Sequence, residues 1–177
     1  SQTLGTKKLN DSNTRIAYVR FNLGSLLSLY STGDISSVTL RLYLVGSVPT
    51  DTLKIYGLLE TNSNGVLESA WTSSMTWNTQ PAKTASPNDI PNSASALPNA
   101  NTTVVLGTSP SFGASAGEVD IPLSLPDVQN LLGRDSNQQI TLLFHSTTGT
   151  SVPGWGSISN TSGYLVPTLE IVGSPSG

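Results

Sequence analysis

Hydrophobic and polar residues alternate along most of this chain. Between residues 15 and 23, Ala17, Val19, Phe21 and Leu23 fall on one side, with Tyr18, Arg20 and Asn22 on the other. Between 38 and 45, Val38, Leu40, Leu42 and Leu44 oppose Thr39, Arg41 and Tyr43. From 53 to 59, Leu53 and Ile55 oppose Lys54 and Tyr56. A period of two is the signature of extended strands with one buried face, as antiparallel sheets produce. Further strand-like runs lie at 102–106, 118–121, 140–145 and 168–172, separated by clusters of Gly, Pro, Asn and Ser.

One segment, 125–132, reads as a helix. Pro126 sits in its first turn, Asp127 suits its N-terminus and Gly133 offers a stop. A further short turn is possible near Asp34. The stretch 71–101 is long, irregular and carries Pro81, Pro87, Pro91 and Pro98, so it needs Trp71, Met75 and Trp77 to pin it to the rest of the domain. The last residues, 173–177, read as a linker. The expectation is a single domain over 1–172: an all-β, two-sheet antiparallel β-sandwich, jelly-roll-like, with one short helix.

Composition sharpens this. The 177 residues are enough for one full core, yet only 11% are charged, against roughly 25% in ordinary soluble domains. Ser, Thr, Asn and Gly take the place of charge, as on many extracellular β-proteins. A net charge of −3 argues against a nucleic-acid binder. The absence of cysteine excludes a disulfide scaffold and a thiolate-bound zinc. No apolar run approaches the roughly 18 residues of a membrane span, so no membrane insertion is expected.

The order of these runs resembles the DNRLRE-type domain. The residues that carry the resemblance are the Arg15–Leu23 run, the run from Ile35 to Leu44, Leu53-Lys-Ile-Tyr-Gly57, and above all Trp71-Thr-Ser-Ser-Met-Thr-Trp-Asn-Thr-Gln-Pro81. That family is a β-sandwich of large secreted bacterial and archaeal proteins, and it includes carbohydrate-binding modules of alginate lyases and related polysaccharide-degrading enzymes. The resemblance implies a non-catalytic module of a secreted or cell-surface protein with a polysaccharide partner. Two departures stand out. Ser73 or Ser74 occupies the region after the first Trp where the family usually has an acid. The family also has a strand ahead of the Leu4-Gly5-Thr6-Lys7 stretch that this chain does not include, which would leave a sheet edge open to strand addition and self-association.

Candidate chemistry follows from the alternation. If the three strands share a sheet, Tyr18 with Arg20, Tyr43 with Arg41 and Tyr56 with Lys54 make a platform of aromatics and bases. Such a platform suits an acidic polysaccharide, because sugar rings stack on aromatic faces and carboxylates pair with Arg and Lys. The competing reading has each base covering a neighbouring Tyr, or the 71–101 stretch lying over that face. Trp155, in Pro153-Gly154-Trp155-Gly156, is a candidate stacking residue on a glycine-flanked loop, or else a plug at the end of the sandwich. Trp71 and Trp77 read as packing residues.

A structural Ca²⁺ would find oxygen ligands at Asp11, Asp34 or Asp89, though loop Asx residues also serve as turn formers. The single histidine, His145, could be joined to Asp120 in an imagined Ser-His-Asp set, but no nucleophile elbow exists and no pair of acids is recognisable as a glycosidase pair. Asn10, Asn101 and Asn160 head glycosylation acceptor patterns, which point to exposed loops. The leading expectation is a carbohydrate-binding module. The alternative is a structural or adhesive subunit of a surface assembly or filament.

Overall fold

The computed structural model describes residues 3–6, 15–27, 30–60, 68, 80, 82, 102–147 and 153–174. Within them the chain forms β1 (Thr3–Gly5), β2 (Ala17–Asn22), α1 (Gly24–Leu27), a 3-10 turn (Thr32–Asp34), β3 (Ile35–Leu44), β4 (Leu53–Leu58), β5 (Thr103–Thr108), β6 (Gly117–Pro122), α2 (Leu125–Gly133), β7 (Gln139–Ser146), β8 (Gly154–Gly156) and β9 (Thr168–Gly173). The alternating runs all become strands, with ends shifted by a few residues. The strand pairings are antiparallel throughout.

The strands divide into two sheets. One runs β1-β8-β3-β6, with β9 also paired to β3, and the other runs β2-β7-β4-β5. They meet over a single core in which Leu40, Leu42, Leu44 and Ile121 of the first sheet pack with Val19, Ile55, Leu106, Leu142 and Phe144 of the second. This is the expected all-β sandwich. The period-2 pattern decides it: from Val38 to Leu44 every second residue of β3 is buried, and its neighbours face outward.

α2 begins as its sequence predicts, with Pro126 in the first turn and the Ser124 hydroxyl bonded to the Asp127 carboxylate. Its buried stripe, Val128, Leu131 and Leu132, enters the core. Gly57 makes room for it, since a Cβ there would stand 2.5 Å from Leu131 Cδ2. No described helix is long and apolar enough to cross a membrane.

The outer faces of the two sheets differ. That of β2-β7-β4-β5 is partly covered: Tyr56, Leu58 and Leu143 form a second buried cluster with Ala82, and Ile16 and Tyr18 pack against it. That of the β3 sheet carries half-exposed polar and charged residues. Among the described residues β6 ends this sheet, and it carries Pro122, Glu118 and Asp120, features that discourage another strand from adding there.

Candidate functional site

Period-2 alternation sends Tyr18, Arg20, Lys54 and Tyr56 to one outer face and Arg41 and Tyr43 to the other. β2 and β4 share a sheet through β7, and β3 lies in the opposite sheet. The expected three-strand platform is therefore divided. A period of two fixes which side of a strand a residue occupies, but not which sheet the strand joins.

On the β7 side, Tyr18, Leu143 and Tyr56 stand in one row across the strands. The Tyr18 hydroxyl donates to Gln80 Oε1 at 2.6 Å, and burial pushes its pKa well above the usual tyrosine range. The Tyr56 ring stacks on His145 at 5.6 Å, with its hydroxyl 3.3 Å from Nε2. His145 Nδ1 lies 2.8 Å from the Ser146 carbonyl, and burial holds its pKa below the ordinary 6.5. Lys54 Nζ sits 5.7 Å from the centre of the Tyr56 ring. Arg20 donates to the Glu68 carbonyl at 2.6 Å and pairs with the Glu68 carboxylate at 3.5 Å. Glu68 is only 2% exposed and also receives bonds from Thr141 and Asn137, yet burial pushes its pKa up. With Tyr56 buried and Gln80 and Ala82 seated on this face, its aromatics are engaged within the chain.

On the β3 side the register sets Tyr43 opposite Glu118 and Arg41 opposite Asp120. Arg41 grips Asp120 with two bonds, Nε to Oδ1 at 2.7 Å and Nη2 to Oδ2 at 3.1 Å. Glu118 and Glu170 each approach the same guanidinium to 3.5 Å. Hydrogen bonding to Arg41 holds the Asp120 pKa below the usual carboxylate value, and the same bond raises that of Arg41. Next to this cluster Tyr43 and Tyr164 stack, centroids 6.0 Å apart and 22° between planes. Both rings are half-buried.

Tyr164 was not among the residues singled out from sequence. Its place is set by Asn160, whose side chain accepts from Tyr164 N and donates to the Tyr164 and Ser157 carbonyls. The Asn160 amide is thus committed to shaping the loop. The same loop exposes Ile158, Leu165 and Val166. Beside β6 a groove of about 640 Å³ is lined by residues 110–117 with Thr50, Glu118, Val119 and Asp120.

Trp155 takes a different place from the one its glycine neighbours suggested. It lies in β8, wholly buried, paired with Leu4 on one side and Leu44 on the other. Its indole donates to Thr6 Oγ1 at 3.1 Å and meets Phe112 edge-on at 4.8 Å. The flanking glycine reflects crowding: a Cβ on Gly156 would stand 2.3 Å from the Leu165 carbonyl oxygen. Trp155 is a core residue and offers no surface for a ligand.

Of the calcium candidates, Asp11 and Asp89 lie outside the described residues, as do Trp71, Met75 and Trp77. The Asp34 carboxylate accepts from the Ser31 backbone and hydroxyl, closing the 3-10 turn. Among the described residues no three His, Cys, Asp or Glu are grouped to hold a metal ion. His145 and Asp120 sit on different sheets and on outward-facing positions, so no triad forms between them.

Residues 1–104 match the family of carbohydrate-binding modules numbered 96. The chain belongs to carbohydrate-binding module family 96. A search of curated proteins gives no match. The matched part of the module reaches from β1 into β5 and contains Arg41 and Tyr43. Their partners Glu118, Asp120, Tyr164 and Glu170 come from the remainder of the module, so the β3 face joins the two parts of the chain.

Proposed function

We propose that the chain is a non-catalytic glycan-binding module of a secreted or cell-surface protein, and that it holds its ligand on the outer face of the β3 sheet. Family membership supports glycan binding, and the stacked Tyr43–Tyr164 pair carries the choice of face. Sugar rings lie on aromatic surfaces through their C–H faces, and charged side chains beside such a platform bond their hydroxyls. Here both elements occur together, and both rings are half-exposed. On the opposite sheet the tyrosines are covered by Gln80 and Ala82. The DNRLRE-type resemblance and the low-charge, hydroxyl-rich composition favour an extracellular setting beside polysaccharide-degrading activity.

The test is retention on a panel of immobilised polysaccharides, comparing the native chain with Tyr43→Ala and Tyr164→Ala. Loss of retention in both variants, with unchanged melting temperature, is the expected result. Equal retention by both variants would move the site elsewhere.

A further inference from the structure

We infer that the β3 face takes an uncharged, hydroxyl-rich glycan and turns polyanionic glycans away, with the groove beside β6 as the slot for its hydroxyl groups. This rests on the glycan-binding reading above and names its ligand class.

The groove is the first observation. Its volume of about 640 Å³ lies within the roughly 300–1,000 Å³ of small-ligand sites. Its walls offer the hydroxyls of Thr50, Ser111 and Ser115, the carboxylates of Glu118 and Asp120, and the backbone of β6, which has no further strand on that side among the described residues. No lysine or arginine among the described residues lines it. Hydroxyls, carboxylates and free backbone groups are the partners a polyol needs. A polyanion needs guanidinium or ammonium groups, and the described lining of the groove supplies none.

Arg41 is the second observation. It is the base on the described part of this face, and three carboxylates surround it. Its fork is filled by Asp120, so a ligand carboxylate would have to displace a bidentate pair and then sit among Glu118, Asp120 and Glu170. Like charges that close repel, and within a screening length of about 8–10 Å salt relieves this only in part. For a sugar hydroxyl the same arrangement is favourable. Arg41 fixes the carboxylate oxygens of Asp120, so an acceptor is already oriented when the ligand arrives.

The third observation is continuity. Glu118, on the groove wall, is the direct cross-strand partner of Tyr43. A chain of sugars running from the groove onto the Tyr43–Tyr164 pair meets hydroxyl partners first and an aromatic platform next. The bases of the other sheet do not alter this balance, since Arg20 is held by Glu68 and Lys54 lies over Tyr56.

The test uses polymers that share a backbone and differ in charge: methyl-esterified pectin against polygalacturonate, and hydroxyethyl cellulose against carboxymethyl cellulose. The intact chain is run in affinity gels containing each polymer, at low and high salt. The expected result is preference for the uncharged member of a pair by about tenfold or more in Kd at low salt, with binding of the uncharged polymer itself insensitive to salt. The Glu118→Gln/Glu170→Gln double variant should narrow that gap by gaining affinity for the acid polymer. Ser115→Trp, which fills the groove from an exposed position, should lose the uncharged polymer with its melting temperature kept. Tighter binding of the acid polymer by the native chain, weakened by salt, overturns the inference and leaves the glycan-binding reading standing. Unchanged binding by Ser115→Trp overturns the role of the groove. If no polymer in an extended panel of both classes retards the chain, the glycan-binding reading itself falls.

Discussion

Arg41 and Asp120 are direct cross-strand partners joined by two hydrogen bonds, 2.7 and 3.1 Å long. The pair lies on an outer face, where water and salt weaken its net contribution to stability. Its value is geometric, because a bidentate fork fixes both side chains in one orientation. Glu118 and Glu170 then complete an acidic ring around a guanidinium that sequence alone would offer to an anion.

Asp120→Asn should release one side of this grip and leave Arg41 freer to meet an anionic ligand. The expected outcome is a small change in melting temperature and a measurable gain in retention on polygalacturonate. No gain would mean that Glu118 and Glu170 alone keep Arg41 occupied.

Trp155→Ala should act on folding. The side chain is fully buried between β1 and β3 and touches Phe112. Removing such an aromatic from a core costs about 3–5 kcal/mol. Chemical denaturation should show that loss, while the fraction still folded keeps its glycan affinity. Loss of affinity at unchanged stability would contradict the placement of Trp155 in the core.

Asn160→Ala should weaken glycan binding with little effect on the core. It removes the bonds that hold Tyr164 against Tyr43, and an aromatic pair of this kind contributes about 0.5–1.5 kcal/mol. Titration calorimetry should record an affinity loss of that order. Tyr43→Phe, which keeps the ring, should bind nearly as the native chain does.

Arg20→Ala should expose the cost of burying Glu68. The carboxylate is 2% exposed, so without its cation it remains a buried charge held, among the described residues, by Thr141 and Asn137. The loss should reach at most about 3 kcal/mol, since Arg20 itself is partly exposed. Because the folded Glu68 pKa is raised, the folded state binds the proton more tightly than the unfolded chain. Stability should therefore recover as pH falls from neutral toward the ordinary 4.5. Arg20→Ala/Glu68→Gln should lose that recovery and lie closer to native stability at neutral pH.

His145 gives the opposite slope. Its folded pKa lies below 6.5, so the unfolded chain takes up the proton first as the solution is acidified. Stability is full above 6.5 and falls as pH drops through that value toward the folded pKa. His145→Gln should flatten this part of the curve. Subtracting the two melting-temperature profiles separates it from the contribution of Glu68.

The sandwich was legible in the sequence because period-2 alternation is a local property. Val38, Leu40, Leu42 and Leu44 announce a buried face whatever the strand pairs with. The site was less legible because it is made by pairing across distance. Arg41 meets Asp120 over 79 positions, and nothing in either segment records the meeting. The same limit placed Tyr43 beside Tyr18 and Tyr56, although β3 joins the other sheet. Trp155 misled for a different reason. Glycine flanks admit both a mobile loop and a tight crossing, and Gly156 lies where another stretch of backbone passes over it.

That crossing ties the interior to the surface. On one side of it Trp155 fills the core. On the other, the Gly156 position faces the Leu165 carbonyl and stands 3.3 Å, as an added Cβ, from the Cβ of Tyr164. The height at which the Tyr164 loop rides is thus set by a strand buried beneath it. Selection acting on sugar preference has two places to work in this chain, the exposed loop and the hidden strand beneath it. A survey of affinity variants confined to solvent-facing positions would overlook the second.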